Sequence, residues 1–426
     1  MLDSIIPYLY VISFCLFLFK GYNKINERII TLIVVCIINI YGLTPFVNYN
    51  LLDSPDLRDD FFTIENYSMF FTHFIIFNLL SVFFISFAVN SKSRFNLKRI
   101  KIYSLILSLI GVSLYIIHWY ISGAINLINT GNKALILSSF FSIPPIFEYF
   151  LYPSFALYFL SIKSRKDIFR FEFLGVLLFV IFNLFIGNRA PLLYLVVMIL
   201  YSLAFRNKLF LNTKTILIGT FVVLSLIFFS VKSRFDNKIS VKELVSLVQD
   251  NPELASFANL EYAWGLRNYN HLRGVNFKQK YPLESYLTGF ISGPAKIFGI
   301  QIIHPAKRFR DLYHSERESN GGDYGGTGYS LFYEAEMSFG IFFSFIPYSI
   351  LLFLIYLIEK NSFKSILGII ILSVIINDFM VINRSAFPLS NFIYKPLYAI
   401  IIFNFVKSSY NLITPFIKTI TINKKI

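Results

Sequence analysis

The feature that most constrains this chain is a succession of apolar stretches of about 17 to 25 residues, each long enough to cross the hydrocarbon core of a bilayer as a helix. They fall at roughly 4–19, 29–46, 69–89, 102–123, 142–162, 171–187, 191–205, 215–231, 329–358, 365–382 and 391–406. In lipid every backbone N–H and C=O has to be paired within its own segment, so runs of this kind fold as helices. The expected fold class is therefore an all-α polytopic membrane protein of about eleven transmembrane helices. Composition agrees: 56% of the 426 residues are hydrophobic and only 15% charged, with 50 Phe, 27 Tyr and a mean hydropathy of +0.62. A soluble domain carries far more charge than this.

Orientation follows from the short connections. "KGYNKINER", "NSKSRFNLKRIK", "KSRKDIFR", "FRNKLFLNTK", "EKNSFK" and the tail from Lys407 to Ile426 hold twenty-one Lys or Arg, whereas the alternate short loops hold only Arg58, Lys133, Arg189 and Arg384. Basic loops stay on the cytoplasmic side, which predicts an external N-terminus and a cytoplasmic C-terminus. The same dispersion explains the net charge of +15 without a nucleic-acid partner. The first run lacks a basic leader and a small-residue cleavage site, and reads as a retained span. Cys15 and Cys36 lie inside apolar runs, where they read as small buried hydrophobes, not as a disulfide or a metal site.

Three regions result: residues 1–231 with spans one to eight, a large external loop at 232–328, and residues 329–426 with the last three spans and the cytoplasmic tail. A connection of that length is functional or disordered, and its sequence favours order. Ser240 and Glu243 form a capping-box pattern, Asn251-Pro252-Glu253 is a helix start, and "LASFANLEYAWGL" offers an apolar face with Gly265 as its stop. The loop is expected to be partly helical and to cover the bundle.

Several charges do not suit this topology. Arg189, in "IGNRAPLL", sits in a tight external hairpin between two spans, and Arg384, in "VINRSAFPLS", repeats the arrangement. Arg234 lies where the eighth span leaves the membrane. An arginine near a helix end can simply snorkel to the interface. The external side is nevertheless where arginine is least expected, and three guanidinium groups at one depth make a phosphate site, since their forks bind phosphate bidentately.

A second constellation is "GGDYGGTGYSLFYEAEMSFG", residues 321–340. Its glycines let backbone approach a ligand, and it leads into a span carrying Ser330 and Glu334 one helical turn apart. Glu334 reads as a general base or a sugar-hydroxyl ligand, against the plain alternative of a carboxylate favoured by a helix N-terminus. Glu336 lies about 200 degrees further round the helix and is not expected to share that site. The loop segment "GIQIIHPAKRFRDLYHSERESN" adds His304, Lys307, Arg308, Arg310 and His314, read either as a substrate clamp or as a solvated charged face. His271 beside Arg267 and Arg273 is a weaker candidate, and His73 and His118, inside spans, read as hydrogen-bonded packing residues. The acidic loop Asp53–Asp60 has no fixed metal-ligand pattern, so neither metal nor cofactor is expected. Walker, GxSxG and HExxH patterns are absent.

The pairing of "IGNRAPLL" with "GGTGYSLFYEAEMSFG" resembles the Wzy-type oligosaccharide repeat-unit polymerases, or O-antigen polymerases. Gly187, Asn188 and Arg189 match one family pattern; Gly325, Gly326, Gly328, Ser330, Glu334, Phe339 and Gly340 match the other. The resemblance implies a fold related to C-type membrane glycosyltransferases and O-antigen ligases. It also implies transfer of a growing glycan from undecaprenyl diphosphate to a newly exported lipid-linked repeat, with a Wzz-type co-polymerase as partner. In that chemistry Arg189, Arg234, Arg384 and Arg310 would hold the diphosphate, with Asn188 and Ser330 as further substrate ligands. Glu334 or His304 would deprotonate the acceptor hydroxyl. An O-antigen ligase, a flippase and a non-catalytic assembly protein stay open as alternatives.

Overall fold

The computed structural model describes residues 2–50, 62–89, 95–130, 133–185, 190–206, 264–280, 283–297, 300, 302–303, 305, 307–309, 311, 330–381 and 389–423. Among them there is no strand. The helices are α1 (Leu2–Tyr22), α2 (Ile29–Asn50), α3 (Ile64–Ile85), α4 (Leu97–Ile121), α5 (Lys133–Phe140), α6 (Glu148–Ser161), α7 (Phe171–Phe185), α8 (Ala190–Phe205), α9 (Trp264–Gly274), α10 (Glu284–Ile297), α11 (Leu331–Phe343), α12 (Phe345–Ser362), α13 (Ile366–Val381) and α14 (Leu389–Asn423). Five of them (α1, α2, α3, α4 and α12) contain a stretch long and apolar enough to cross a bilayer, and α7, α8 and α13 contribute shorter apolar segments.

The outward faces of these helices are apolar too. On α1, Ile5, Leu9, Ile12, Leu16 and Phe19 are exposed, Phe19 at 72%, while Tyr10, Phe14 and Phe17 turn inward. A helix that is hydrophobic all round is built for a hydrocarbon surrounding, because water would penalise its outer face by about 25 cal/mol per Å².

The chain divides into two compact units. The first comprises Met1–Ala88, Phe235–Leu357 and Asp378–Ile393. Within it α1 lies along α3, and α9 packs on α2, α3 and α11. Without a strong hydrophobic drive between helices in lipid, polar groups join them. Asn39 donates through Nδ2 to Asn78 Oδ1 at 2.8 Å, and Asn78 returns a bond to Asn39 Oδ1 at 3.0 Å and another to Ser13 Oγ at 3.1 Å. The Tyr10 hydroxyl donates to the Asn39 carbonyl at 2.9 Å. Arg28, fully buried, donates to the carbonyls of Phe84 and Phe87, both at 3.0 Å, and to Thr31 Oγ1 at 2.9 Å, with its guanidinium 4.8 Å from the Tyr356 ring centre. A charge so deep is tolerable because it satisfies the end of α3, whose last carbonyls have no intrahelical partner.

The second unit comprises Val89–Arg234, Ile358–Asn377 and Tyr394–Ile426. Here α4 and α6 are joined by a reciprocal pair: Ser104 Oγ donates to the Ser154 carbonyl and Ser154 Oγ to the Ser104 carbonyl, each at 3.1 Å. Gly111 makes that approach possible, since a Cβ there would stand 2.9 Å from the Leu151 backbone nitrogen. Arg206 at the end of α8 repeats the Arg28 device, donating to Phe159 and Leu160 carbonyls at 2.6 and 2.7 Å and so closing α6.

Three sequence expectations need correction. The run 329–358 is two helices: Gly340 adopts φ 69° and ψ 168°, a conformation restricted to glycine, and Ser344 ends α11 before α12 begins. The run 142–162 becomes helical only at Glu148, because Pro144 and Pro145 lack N–H donors and disfavour helical backbone in the residue before each. Gly265 does not stop a helix; it lies inside α9, which continues to Gly274. The eighth expected span, 215–231, and the helix starts at Ser240 and Asn251 lie outside the described residues.

Candidate functional site

The most connected polar cluster in the first unit is assembled from four helices. Thr63 caps α3, its hydroxyl accepting from the Asn66 N–H at 3.0 Å, and the helix then presents Glu65 and His73 two turns apart on one face. Helix α9 presents Tyr269 and Arg273 one turn apart. Ser330 caps α11 by accepting from the Tyr333 N–H, and α11 carries Glu336. Past the Gly340 break, α12 supplies Tyr348.

Glu336 is the hub. His73 Nε2 lies 3.2 Å from its Oε2, and the Tyr269 hydroxyl donates to the same oxygen. Tyr348 Oη lies 3.0 Å from His73 Nδ1. An ionised carboxylate only accepts, so the imidazole proton belongs on Nε2, which leaves Nδ1 to accept from Tyr348. Arg273 completes the group, with Nη1 3.8 Å from Glu336 Oε1 and Nη2 3.6 Å from Glu65 Oε1.

Burial is graded across this row. The His73 side chain is fully buried, Glu336 and Arg273 are 19% and 21% exposed, and Glu65 is 70% exposed. Aromatic rings close the inner end: Phe332 stacks on the imidazole at 5.9 Å, with Tyr269 and Tyr348 edge-on to it. Burial first, and the Glu336 charge second, push the Tyr269 phenol well above its ordinary range, so it remains a donor. The arrangement is a carboxylate held ionised by donors on its inner side and facing a guanidinium on its outer side.

A neighbouring pair orders the loop helices. Arg308 Nη2 donates to Glu284 Oε2 at 2.6 Å, and the Lys280 N–H donates to the same oxygen at 2.6 Å. Tyr333 donates to the Phe277 carbonyl at 2.9 Å, tying α11 to the segment after α9.

Of the residues singled out from sequence, Glu334 is fully buried on α11 and Ser330 is its buried cap. Arg308 serves the Glu284 pair, and the His271 ring lies 5.7 Å from that of Phe309. His118 is a packing residue, its Nε2 donating to the Phe140 carbonyl at 2.8 Å. His73, given the same reading, is likewise buried and hydrogen-bonded, one of its partners being the Glu336 carboxylate. Arg189, Asn188, Arg234, Arg384, His304 and Arg310 lie outside the described residues, as does the acidic loop at 53–60. The cluster around Glu336 was missed because its members stand 67 and 263 residues from Glu336 in sequence. The faint signals were the four-residue spacing of Tyr269 and Arg273 and the placement of Glu336 on the other side of α11 from Glu334.

The fold and the apolar helix surfaces define a class: this is a multi-pass membrane protein whose described residues form helices and no strand. No family model, curated protein or solved structure matches the chain.

Proposed function

We propose that the protein is a membrane glycosyltransferase that polymerises undecaprenyl-diphosphate-linked oligosaccharide repeat units. It acts on the outer face of the bacterial inner membrane, moving the growing glycan onto a newly exported repeat. The observation that carries this reading is that α11, which follows the Gly-rich stretch in sequence and is capped by Ser330, brings Glu336 against Arg273 of the large loop. A carboxylate facing a guanidinium, with a buried imidazole behind it, suits deprotonation of a sugar hydroxyl. In this reading Arg189, Arg234, Arg384 and Arg310 bind the diphosphate and stabilise the charge that develops as it leaves, so the reaction runs without a metal. Asn188, Ser330, Glu334 and His304 complete the substrate site, and a Wzz-type co-polymerase sets chain length.

The test is a gel of surface glycan from a strain deleted for the gene and complemented with wild type or Arg189→Ala. A ladder that collapses to one repeat on deletion, returns with wild type and stays collapsed with Arg189→Ala supports the polymerase. Loss of even the single repeat, with lipid-linked polymer accumulating, identifies a ligase instead. Lipid-linked single repeats trapped on the cytoplasmic face identify a flippase.

A further inference from the structure

We propose that Glu336 and Arg273 together hold one hydroxyl of the acceptor sugar, and that Glu336, not Glu334, takes its proton. The substrate class rests on the polymerase reading; the placement rests on geometry. Glu336 Oε2 is occupied by Tyr269 and His73, whereas Oε1 faces Arg273 Nη1 at 3.8 Å, beyond hydrogen-bond length; one N–H of that Nη1 is directed to Met69 Sδ, which leaves the other for a ligand. Two atoms so spaced share a point about 2.8 Å from each, roughly 2 Å to the side of the line between them. An oxygen there accepts from Nη1–H and donates to Oε1, which is the bonding pattern of a hydroxyl and not of a phosphate or an ammonium. Both side chains keep about a fifth of their surface exposed, while His73 behind them is buried.

The groups facing Glu336 suit this task. From α3 come His73 and the more distant Glu65, from α9 Tyr269 and Arg273, from α12 Tyr348 through the imidazole, and from α11 itself Tyr333, with Glu334 on the opposite side of that helix acting on Tyr348. His73 and Tyr269 are positioning residues: their bonds fix the carboxylate plane and leave Oε1 as the free acceptor. In the transfer step the hydroxyl oxygen forms a bond to the anomeric carbon of the growing glycan. The bond from that carbon to the diphosphate breaks, and its electron pair leaves with undecaprenyl diphosphate. The hydroxyl proton passes to Glu336 Oε1 and then to solvent.

The experiment follows elongation of endogenous lipid-linked repeats in membrane vesicles as a function of pH, with the amount of inserted protein measured in parallel. Wild type is expected to lose rate on an acidic limb as Glu336 protonates. Glu336→Gln is expected to lose about 100-fold or more and to have no acidic limb. A rate within about threefold of wild type, or an acidic limb retained at any rate, overturns the proposal and leaves the polymerase reading intact. Wild-type vesicles that do not elongate at all overturn that reading and the proposal with it. Should Glu336→Gln not accumulate, Arg273→Gln decides: a rise of at least about tenfold in apparent KM for the lipid-linked repeat supports the hydroxyl contact, and an unchanged KM removes it.

Discussion

Asn39 and Asn78 exchange side-chain hydrogen bonds in both directions, at 2.8 and 3.0 Å, in the middle of α2 and α3. Each amide has its donor and its acceptor used by the other, so the pair specifies the register of two otherwise featureless apolar helices. Replacing one partner leaves the other buried and half-bonded, which costs about 1–3 kcal/mol, whereas replacing both removes the unmet demand. Asn78→Leu is therefore expected to lower the unfolding temperature in detergent by several degrees, and Asn39→Leu/Asn78→Leu to recover much of the loss. A double variant less stable than the sum of the singles would show that the amides serve some other partner.

Arg28 makes a comparable prediction at the end of α3. Its guanidinium serves two carbonyls and a hydroxyl while lying over Tyr356, a combination that a point-like ammonium does not reproduce. Arg28→Lys is expected to destabilise by roughly half as much as Arg28→Ala, and the alanine variant by on the order of 1–3 kcal/mol, from the lost bonds to the Phe84 and Phe87 carbonyls, of which the Phe84 carbonyl keeps a backbone donor, the Phe87 N–H at 3.2 Å. Urea or thermal unfolding of the purified protein measures both; equal effects would mean that charge alone matters there.

These contacts show what the sequence made legible. Apolar length and lipid's demand for paired backbone placed α1 to α4, α7, α8 and α13 within a few residues, because that constraint is local. Helix ends set by side-chain chemistry were harder: the Gly340 break and the late start of α6 depend on backbone conformations that an apolar run conceals. The cluster at Glu336 was hardest. Pattern matching favoured Glu334 for its spacing from Ser330, but the pairing of Glu336 with His73 spans 263 residues and exists only once α3 and α11 meet. Asn39 with Asn78 and Arg28 with Phe84 are equally non-local, so a single chain read in order gives no hint of either.

Asp167 yields a pH prediction in the connection between α6 and α7. Its carboxylate accepts from Lys101 Nζ, from the N–H groups of Lys163 and Ser164 at 3.0 and 3.1 Å, and from Ser164 Oγ at 3.2 Å. The Lys101 bond first, and the Lys163 backbone N–H next, hold it well below the usual carboxylate range. A group depressed on folding contributes stability above its unfolded pKa, about 3.9, and loses it as pH falls toward the folded value. Wild type is expected to unfold at a higher temperature than Asp167→Asn at pH 7. The gap should narrow below about pH 4, and a gap independent of pH would remove ionisation as the cause.

Gly340 links stability to the proposed site. Its positive φ lets the chain break between Glu336 and Tyr348, so that residues from two successive helices reach the two nitrogens of one imidazole. A Cβ there would meet no neighbour within 4 Å, so the cost of Gly340→Ala is conformational and not steric crowding from outside. That cost is about 1–3 kcal/mol if the break is kept. If instead α11 straightens to relieve it, Glu336 and Tyr348 no longer share His73, and elongation should fall more than stability does. Comparing Gly340→Ala with Gly111→Ala separates the two outcomes, since Gly111 packs α4 against Leu151 within the second unit, whereas the Glu336 cluster belongs to the first. Gly340→Ala is expected to reduce elongation at least about tenfold at equal inserted protein, whereas Gly111→Ala should lower the unfolding temperature and leave the rate per folded molecule unchanged. Equal elongation by both variants would mean that the break at Gly340 serves the fold alone.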